Sequence, residues 1–407
     1  MGRPLRRLAS PVVLPRPLIA VVSPFLDKQH GTELCVAEQI ERLSAMYDIH
    51  LYSERVQDVN LREITWHRVL VPPGPHLLRF VWWFAANRVC RWWDRHVRCL
   101  VPEVVYSPGV NCLDADLIGV HILFAKLRRE LAKELRLSRN PVRTWPVILH
   151  RRVYYFVIER LEGLLYGQND VALVPVSRLV AQDISQFHGR RNDVSVVYHG
   201  IDADKFSVCR RQELRPAARA ALGLQEGTFA VLLIGNDWKK KGLSCLLEAA
   251  GRLRNLHLQV LVVGSDSQTP YQAMILRLGL SEQVSFLPPR SDVEFYYAAA
   301  DAYVGPSLED AFSLPPAEAM ACGLPVVTTR MAGVSEIIDH GVDGLILENP
   351  ADAELLSGWI RRLSTDPEWR KQLGDAAAQT AKQYTWERNA EQMRELFEQV
   401  RRRRGAR

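Results

Sequence analysis

The sequence predicts an α/β protein of two doubly wound domains, each a parallel β-sheet with helices on both faces. The chain has 407 residues, 47% of them hydrophobic, which is enough for two separate cores. From Phe229 onward, short apolar runs alternate with stretches of helical spacing, the pattern of a buried parallel sheet. The first half repeats this pattern less regularly. Sheets of this kind bind ligands at the carboxyl ends of their strands, so we expect the functional residues in the loops there.

In the second half, apolar runs predict strands and the segments between them predict helices. The strand-like runs are residues 229–235, 258–264, 284–288, 302–307, 325–329 and 344–348. Helical spacing marks residues 243–253 and 292–300, and we expect a short helix over the segment GVSEIIDHG. Thr385 is a capping signal for a long amphipathic helix, Trp386–Arg401.

The first half contains six further strand-like runs and one clear helix. The runs are residues 18–24, 48–53, 104–109, 116–122, 171–177 and 194–202. Thr32–Leu43 predicts an amphipathic helix after the first run. Residues 207–227 mix polar residues with Pro and Gly, which is typical of a linker, so we expect the domain boundary there.

Composition narrows the class of protein. Seven cysteines without a Cys-x-x-Cys pair predict reduced thiols in a cytoplasm. Prolines break the basic N-terminal segment MGRPLRRLASPVVLPRP before it could form a signal-peptide core, and no run reaches the ~20 apolar residues of a transmembrane helix. The net charge of +6 is uneven, because residues 1–200 hold 27 Lys and Arg against 19 Asp and Glu. We therefore expect an anionic partner at the first half, and no nucleic-acid motif is present.

Two carboxylates, Asp310 and Glu318, flank a double proline in the segment SLEDAFSLPPAEAMACGLPVV. The prolines predict the first turn of a helix, with Ser313 at or near the N-cap and with Gly323 and Pro325 as its end. A helix N-terminus favours phosphate oxygens. A diphosphate bound there would have one acid on each side, and because acids bind hydroxyls we expect sugar at both ends. The alternative is that Glu318 only complements the helix dipole and that Asp310 is solvated.

A second loop in the same half carries three consecutive cations. Lys239, Lys240 and Lys241 precede a helical segment in LIGNDWKKKGLSCLLEA. Cations oppose the dipole at a helix N-terminus unless an anion binds there, so the loop predicts a second contact with phosphate. The alternative is a solvated lysine patch.

The segments IGNDWKKKG, VSFLP, PSLEDAFSLPPAEAMACGLPVV and GVSEIIDHGVDGLI together resemble family 4 of the retaining GT-B glycosyltransferases. HGTELCVAEQIERLS, VPVSRLVAQDI and VVYHGIDADKF extend the resemblance into the first half. It implies a GT-B fold, in which two Rossmann-like domains face each other across a cleft. The implied units are an acceptor-binding domain (1–207), a nucleotide-sugar-binding domain (208–383) and a C-terminal helix (384–407) that crosses back to the first domain.

The resemblance implies a donor site in the second domain. Glu318 matches the acid that holds the nucleotide ribose hydroxyls, and Asp310 matches the acid that faces the donor sugar. Lys241 matches a lysine that binds the diphosphate. Three residues match positions whose backbone amides bind the same diphosphate: Phe312, Ser313 and Leu314.

Two matches lie in the first domain. Gly31 matches a glycine beside the phosphates, in a loop where His30-Gly31 replaces the usual glycine pair. His121 matches a histidine near the sugar that shapes acceptor attack, although a lone histidine can also belong to the core. Of these residues, we expect His121 and Asp310 to be catalytic.

The chain departs from the family pattern at three other positions. Asp310 replaces the usual Glu, Ser313 replaces a Gly, and Asn236 replaces an arginine in the donor site. The last change leaves Lys239 or Lys240 to supply the second charge. The loop GNDWKKKG is similar to that of the lipopolysaccharide-core glucosyltransferase branch, where the arginine is also missing.

The expected reaction transfers a hexose from a nucleotide sugar, with a UDP-sugar as the default donor and with retention of configuration. A lysine and aligned amides would stabilise the charge that develops on the departing β-phosphate. No metal and no other cofactor is expected, because the donor half has no Asp-x-Asp in a nucleotide-facing loop. The pair Asp114 and Asp116 lies in the other half, where we expect a structural role.

Residues 77–98 place tryptophans among arginines at helical spacing, which suits the interface of an anionic bilayer. We expect a membrane or acceptor face formed by Trp82, Trp83, Arg88, Arg91, Trp92 and Trp93. The expected acceptor is a lipid-linked or lipopolysaccharide-type cell-envelope glycan, and the expected location is the inner face of the cytoplasmic membrane, bound peripherally. The alternative is a core-facing helix with its arginines in water.

Two other functions stay open at the level of sequence. One is an epimerase of GT-B fold that acts on the nucleotide sugar itself. The other is a non-catalytic nucleotide-sugar-binding protein, which the departures at Asp310 and Ser313 suggest.

Overall fold

The computed structural model describes residues 16–28, 31–132, 135–139 and 141–406. The basic segment at the N-terminus, up to residue 15, and His30 lie outside the described residues. The strands of the first half are β1 (Leu18–Val22), β2 (Phe25–Leu26), β3 (Asp48–Ser53), β4 (Arg55–Val56), β5 (Ile64–Arg68), β6 (Val104–Pro108), β7 (Leu117–Val120) and β8 (Ala172–Pro175). Those of the second half are β9 (Phe229–Ile234), β10 (Leu258–Val263), β11 (Val284–Leu287), β12 (Ala302–Val304), β13 (Val326–Thr329) and β14 (Leu345–Leu347).

Helices connect these strands. Those of the first half are α1 (Gly31–Leu43), α2 (His76–Val97), α3 (Phe124–Leu131), α4 (Trp145–Tyr166) and α5 (Arg178–His188). The others are α6 (Val208–Ala221), α7 (Leu243–Gly251), α8 (Thr269–Leu278), α9 (Glu294–Ala299), α10 (Leu314–Ala321), α11 (Ala353–Thr365), α12 (Pro367–Ala381) and α13 (Trp386–Gly405). Single turns of 3₁₀ helix cover Leu137–Arg139, Val142–Thr144 and Gly333–Ile337.

Each half forms one six-stranded parallel sheet, which confirms the predicted fold class. The strand orders are β5-β3-β1-β6-β7-β8 and β11-β10-β9-β12-β13-β14. In both sheets the first strand lies in the middle, and the chain winds outward to one edge and then to the other. The order reverses between β1 and β6 and between β9 and β12, which are the positions where doubly wound sheets bind ligands.

The sheets are buried because their strands are apolar on both faces. In β9, the neighbouring residues Leu232 and Leu233 point to opposite faces and are both fully buried. The same is true of Val21 and Val22 in β1. Continuous apolar runs of this kind require helices on both faces, which the alternating order of strands and helices supplies.

Helix α13 leaves the second half and packs on α1 of the first. Met393 and Phe397 are buried there. Gln39 Nε2 donates to Asn389 Oδ1 at 2.9 Å, and the Tyr47 hydroxyl donates to Glu398 Oε1 at 2.7 Å. Thr385 caps the helix, because its hydroxyl accepts from the Arg388 amide at 3.2 Å. The helix continues to Gly405, beyond the predicted end.

The expected linker contains a helix, α6, so this prediction was wrong for most of residues 207–227. Ser207 caps α6 by accepting from the Arg210 amide at 3.3 Å. Arg211, Arg215 and Arg219 follow at intervals of one turn and donate to the carbonyls of Ala299 and Ala300 at the C-terminal end of α9. These bonds fix a helix that contains an internal proline.

The strand predicted over residues 194–202 is also absent. The segment is extended and bonds to the edge of β8 through Ser195 and Val197, whose amides donate to Leu173 and Pro175 at 2.9 and 3.1 Å. It then turns away, because the Ile201 amide donates to Tyr384 at 2.9 Å. The segment thus connects the first sheet to the start of α13.

Helix α2 forms as predicted, but two of its six expected surface residues are buried. Trp83 is only 3% exposed and packs in the core. Arg91 forms a bidentate pair with Asp114, at 2.6 and 2.7 Å. That pair, together with the bond from the Val105 amide to Asp116 at 2.8 Å, agrees with the structural role predicted for the two aspartates.

The cysteines and the apolar segments are the last features on which the composition gave a prediction. All seven cysteines are free thiols. Within the described ranges, no helix combines the length and the apolar composition needed to cross a bilayer.

Candidate functional site

A cavity of about 1130 Å³ lies between the two domains, at the carboxyl ends of both sheets. First-domain residues such as His121 and His199 form one wall, and second-domain residues such as Lys241 and Glu318 form the other. All ten residues predicted for donor binding or catalysis line it: Gly31, His121, Asn236, Lys240, Lys241, Asp310, Phe312, Ser313, Leu314 and Glu318. The residues predicted for the acceptor or membrane face on α2 do not.

The lysine loop and the proline-started helix meet in this cavity because their backbones touch. Gly242 has φ +78°, and a Cβ there would lie 1.9 Å from the Pro306 carbonyl oxygen, so only glycine fits. The Leu308 amide donates to the Lys240 carbonyl at 2.7 Å. The loop after β9 and the loop after β12 are therefore held side by side.

Lys241 lies at the centre of the second-domain wall. Its Nζ donates to Asp310 Oδ2 at 2.5 Å and to Ser313 Oγ at 3.1 Å. Both side chains of the ion pair are largely buried. The side chain passes over Gly235, where a Cβ would lie 2.8 Å from Lys241 Cε. A glycine at the end of β9 thus allows the lysine to reach the acid.

The tip of α10 faces the same space. Ser313 precedes the helix at φ 73°, a left-handed conformation that is uncommon for a residue other than glycine. Its side chain does not cap the helix but accepts from Lys241. Pro315 and Pro316 have no N–H, so the amides without an intrahelical partner at the tip are those of Ser313 and Leu314. An anion bound there would therefore rest on the residues before the prolines.

Glu318 lies one turn further along α10. The Tyr297 hydroxyl donates to its Oε2 at 2.6 Å. Burial raises the pKa of the Glu318 carboxyl to about 7, although the bond from Tyr297 favours the charged form. A carboxyl with this pKa in a cleft is a candidate functional residue, since it changes charge near neutral pH.

The partners of Asn236 and Lys240 in the lysine loop affect the second positive charge predicted at the diphosphate. Asn236 Oδ1 accepts from the Ser265 amide and hydroxyl at 3.1 and 3.0 Å. Lys240 forms ion pairs with Glu309 at 3.2 Å and with Glu130 of the first domain at 3.7 Å. Lys240 lines the cavity, but its charge is directed at these acids.

His121 follows β7 on the first-domain wall and is 8% exposed. Its ring lies 5.3 Å from that of His199, which is 6% exposed. Burial lowers the pKa of His121 to about 3, helped by His199, and lowers the pKa of His199 to about 4. Both rings are therefore neutral at pH 7.

The sequence reasoning missed two groups of residues in the site. His199 follows the extended segment at the edge of the first sheet, and its position beside His121 could have been expected only once that edge was known. Lys126 of α3 binds Glu309 across the cleft at 2.9 Å and Asp183 at 2.8 Å. Its helix is basic in sequence, but nothing in the spacing indicates an acid partner from the other domain.

A second contact holds the domains together at the edge of the site. Glu336 accepts from the Arg178 and Leu179 amides at 2.8 and 2.7 Å and from the Tyr198 hydroxyl at 2.9 Å. It thereby caps α5 of the first domain from the second. Gly333 allows this approach, because a Cβ there would lie 2.7 Å from Ser177 Cβ.

The match to a known protein family lies in the second domain. Residues 215–380 match the family model of glycosyl transferases group 1. The chain is 32% identical over 242 residues to a D-inositol 3-phosphate glycosyltransferase of Thermobifida fusca (strain YX), covering 56% of this chain and 55% of that protein. The protein of that name from Corynebacterium urealyticum is 30% identical over 248 residues, covering 58% of each. The chain thus spans about half the length of the curated relatives it matches.

Solved structures match over nearly the whole chain and establish the fold. WaaG, described as a glycosyltransferase involved in lipopolysaccharide biosynthesis, has a TM-score of 0.73 at 20% identity, covering 91% of this chain and 98% of WaaG. Sucrose-phosphate synthase from Thermosynechococcus elongatus has a TM-score of 0.74 at 20% identity, covering 95% and 99%. Anabaena Alr3699/HepE, solved with UDP and glucose, has a TM-score of 0.69 at 19% identity, covering 94% and 100%. Residues 215–380 therefore resemble the glycosyl transferases group 1 in sequence, within a chain that has the GT-B fold.

Proposed function

We propose that this protein is a retaining, metal-independent glycosyltransferase that moves a hexose from a nucleotide sugar, with UDP as the carrier. The observation that carries the proposal is the meeting of Lys241, Asp310 and Glu318 with the N-terminus of α10 on one wall of the cavity. The family match of the second domain and the glycosyltransferase names of the curated relatives support it. These relatives favour the transferase over an epimerase or a non-catalytic binding protein.

A nucleotide sugar fits the order of groups around the cavity. Glu318 would accept hydrogen bonds from the ribose hydroxyls at one end, and Lys241 with the Ser313 and Leu314 amides would hold the diphosphate. Asp310 and His121 would face the sugar at the other end. Carboxylates and neutral imidazoles accept or donate hydrogen bonds without requiring a metal.

In the proposed mechanism, Lys241 exchanges Asp310 for the diphosphate when the donor binds. As the bond to the sugar breaks, negative charge grows on the β-phosphate, and a fixed ammonium group with aligned amides stabilises that charge. Release of Asp310 from the lysine leaves its carboxylate near the developing positive charge at the anomeric carbon. Neither Asp310 nor His121 needs to form a covalent bond to the sugar.

For the acceptor, we propose a glycan or glycolipid at the membrane surface. Helix α2 exposes Trp82, Trp92 and Trp93, each more than half exposed. Helix α4 packs beside the start of α2, with the ring of Tyr154 4.6 Å from His76. It adds further exposed apolar side chains: Trp145, Val147, Leu149, Val153 and Phe156.

The positive charges on this surface favour an anionic bilayer as its partner. Arg88 and Arg95 of α2 and Arg151 and Arg152 of α4 are also exposed. Tryptophans and arginines together suit the headgroup region of an anionic bilayer, where the rings enter the interface and the guanidinium groups meet phosphate. Trp83 and Arg91, which are buried, take no part in it. A bilayer on this face would deliver a lipid-linked acceptor to the neighbouring cleft.

A smaller acceptor is favoured by a different observation. The curated relatives are named as D-inositol 3-phosphate glycosyltransferases, and Lys28 of the first domain lines the cavity, where it now pairs with Glu38 and Glu41. A phosphorylated polyol is therefore the second candidate. The two acceptor classes differ in their need for a membrane, which makes them separable.

Donor turnover tests the proposed reaction. We expect slow hydrolysis of one sugar nucleotide from a panel of UDP, GDP and ADP sugars, chosen first by thermal shift. Turnover should persist with a chelator present, and Glu318→Ala should abolish it. The anomeric configuration of a transfer product, read by NMR, should match that of the donor. Binding without turnover would favour the non-catalytic alternative, and isomerised donor would favour the epimerase.

Vesicle binding tests the acceptor face. The protein should co-sediment with vesicles that contain phosphatidylglycerol but not with phosphatidylcholine alone, and salt should weaken the binding. Trp92→Ser with Trp93→Ser should remove most of it. Leu276→Ser, at an even more exposed position of the second domain, is the control and should not. Absence of binding at low salt, with transfer to inositol phosphate, would instead support the smaller acceptor.

A further inference from the structure

Three soft or borderline ligands meet at the first-domain wall of the cavity. The thiol of Cys35 on α1, the imidazole of His121 after β7 and the imidazole of His199 come from three separate parts of the first domain. One ligand atom from each lies within 4.8 Å of the other two. All three residues are buried.

The ring nitrogens of His199 lack hydrogen-bond partners among the residues that the structure describes, which indicates that they could bind a ligand. The side chain is 94% buried, since only 6% of its surface is exposed, and an unpaired polar group in such a place costs free energy. A ligand that accepts an imidazole lone pair would remove that cost.

We infer that Cys35, His121 and His199 form a binding site for a soft divalent cation, with Zn²⁺ the best match. Zinc prefers thiolate and imidazole ligands, and three protein ligands with an open fourth position are typical of accessible zinc sites. Because His121 and His199 line the cavity, the fourth position would open toward it. A water molecule or a cavity ligand would complete the tetrahedron.

The ligand atoms are close to the spacing that zinc requires. Zn–S and Zn–N distances of about 2.3 and 2.0 Å place neighbouring ligand atoms about 3.5 Å apart in a tetrahedron. The three atoms, now within 4.8 Å of one another, would have to approach by up to about 1.3 Å. Each imidazole can offer one ring nitrogen to the cation, and the cation itself would displace the thiol proton. Cys35 now accepts only a long bond of 3.4 Å from Gln39, which does not hold it in place.

The site has a consequence for the reaction, which rests on the proposed function. His121 is the residue expected near the donor sugar, and a bound cation would hold its ring back against Cys35. It would also place positive charge where the anomeric carbon becomes positive. Occupation of the site should therefore inhibit transfer, in agreement with a reaction that itself needs no metal.

Cobalt titration of the reduced, metal-free protein tests the site without any activity. Co²⁺ bound to a thiolate gives a charge-transfer band in the near ultraviolet, and we expect one equivalent to bind with this band and Zn²⁺ to displace it. Cys35→Ser should remove the band. His199→Gln should weaken affinity by more than about tenfold, the loss that even an outer-shell partner can cause. Cys209→Ser changes an exposed thiol of the second domain and is the matched control.

The outcomes separate the site from the reaction. Absence of stoichiometric binding, or a band that survives Cys35→Ser, would overturn the site. His199→Gln provides an independent reading if Cys35→Ser fails to fold. In assays of transfer, Zn²⁺ should inhibit the native protein reversibly and Cys35→Ser should resist it. Metal binding without transfer from any donor would leave the site standing and reject the proposed function, while equal inhibition of both proteins would reject the site.

Discussion

Among individual residues, the proposed glycosyl transfer depends most on the ion pair between Lys241 and Asp310. A lysine aimed at a phosphate must not be left as an unpaired charge in a buried wall when no donor is bound. Asp310 supplies the counter-ion, and Ser313 the second acceptor. Replacement of the usual Glu by the shorter Asp310 is compatible with this role, because the lysine reaches it at 2.5 Å.

Glu318 gives a prediction about pH. Its pKa of about 7 means that the carboxyl is mostly protonated below neutral pH, whereas ribose hydroxyls bind best to the charged form. UDP-glucose, which has no group that titrates near pH 7, should therefore bind roughly tenfold more weakly at pH 6 than at pH 8. Titration calorimetry across this range measures it. Glu318→Gln should bind weakly at both values, and an equally steep profile in that variant would refute the assignment.

The same carboxyl affects stability with the opposite sign. The folded protein holds the Glu318 proton more tightly than the unfolded chain does, since the folded pKa lies above the ordinary glutamate value of 4.5. The contribution of this group to folding is therefore complete at low pH and lost as pH rises through about 7. Donor binding would reverse the trend, because it favours the ionised carboxylate.

The sequence could predict which residues line the site proposed for the donor but not their partners. Asp310 and Glu318 follow from residue type and spacing, and the family resemblance selects Lys241 from three consecutive lysines. The direction of Lys240 toward Glu309 and Glu130 depends on where the first domain sits, which no local pattern encodes. The proximity of His199 to His121 depends in the same way on the path of the chain.

At the scale of elements, α10 and α6 show where sequence patterns succeed and fail. Proline at the start and glycine at the end marked α10 without ambiguity. Helix α6 carries a proline and low hydrophobicity, so its sequence resembles a linker. Its stability comes from arginines that bind the end of α9, and such tertiary contacts override local propensity.

Arg215 tests this account of α6. It bonds to the carbonyls of Ala298 and Ala300 at 3.1 and 2.7 Å and pairs with Asp301 at 2.5 Å. Arg215→Ala should lower the free energy of unfolding by about 1.5–3 kcal/mol, the range for hydrogen bonds to charged groups. Urea denaturation followed by circular dichroism measures it.

The control lies on the same helix. Arg210 pairs with Glu213 in solvent, so Arg210→Ala should change stability by less than about 1 kcal/mol. Equal effects of the two substitutions would show that α6 is held by something other than its contacts with α9.

At the scale of the whole molecule, the shape of the cavity depends on how the two domains are joined. Helix α13 ties the end of the second domain to α1, and the segment before it bonds to Ile201. Glu336 and Lys126 add contacts on either side of the cavity. The fold class could be predicted from alternating strands and helices, whereas these contacts arise from residues far apart in the chain.

Substitution of Gly200 tests the contact between the first domain and the start of α13. A Cβ at this position would lie 2.4 Å from the Trp386 amide nitrogen, and neither backbone can move without disturbing α13. Gly200→Ala should lower the free energy of unfolding by about 1–3 kcal/mol, the usual cost of overpacking. Gly163→Ala, within α4 and with no atom within 4 Å of the new Cβ, should instead stabilise the protein by roughly 0.5–1 kcal/mol. Thermal unfolding of both variants gives the comparison, and a neutral Gly200→Ala would contradict the close approach.

The affinity of UDP for Lys241→Ala tests the central claim, that a sugar diphosphate binds between the lysine loop and the tip of α10. Lys239→Ala changes an exposed lysine of the same loop that does not line the cavity, and so is the matched control. Loss of one charged hydrogen-bond donor should weaken UDP binding by about 10- to 150-fold. The account predicts this loss in Lys241→Ala alone, with uridine binding unchanged. Equal UDP affinity in the native protein and in Lys241→Ala would contradict it.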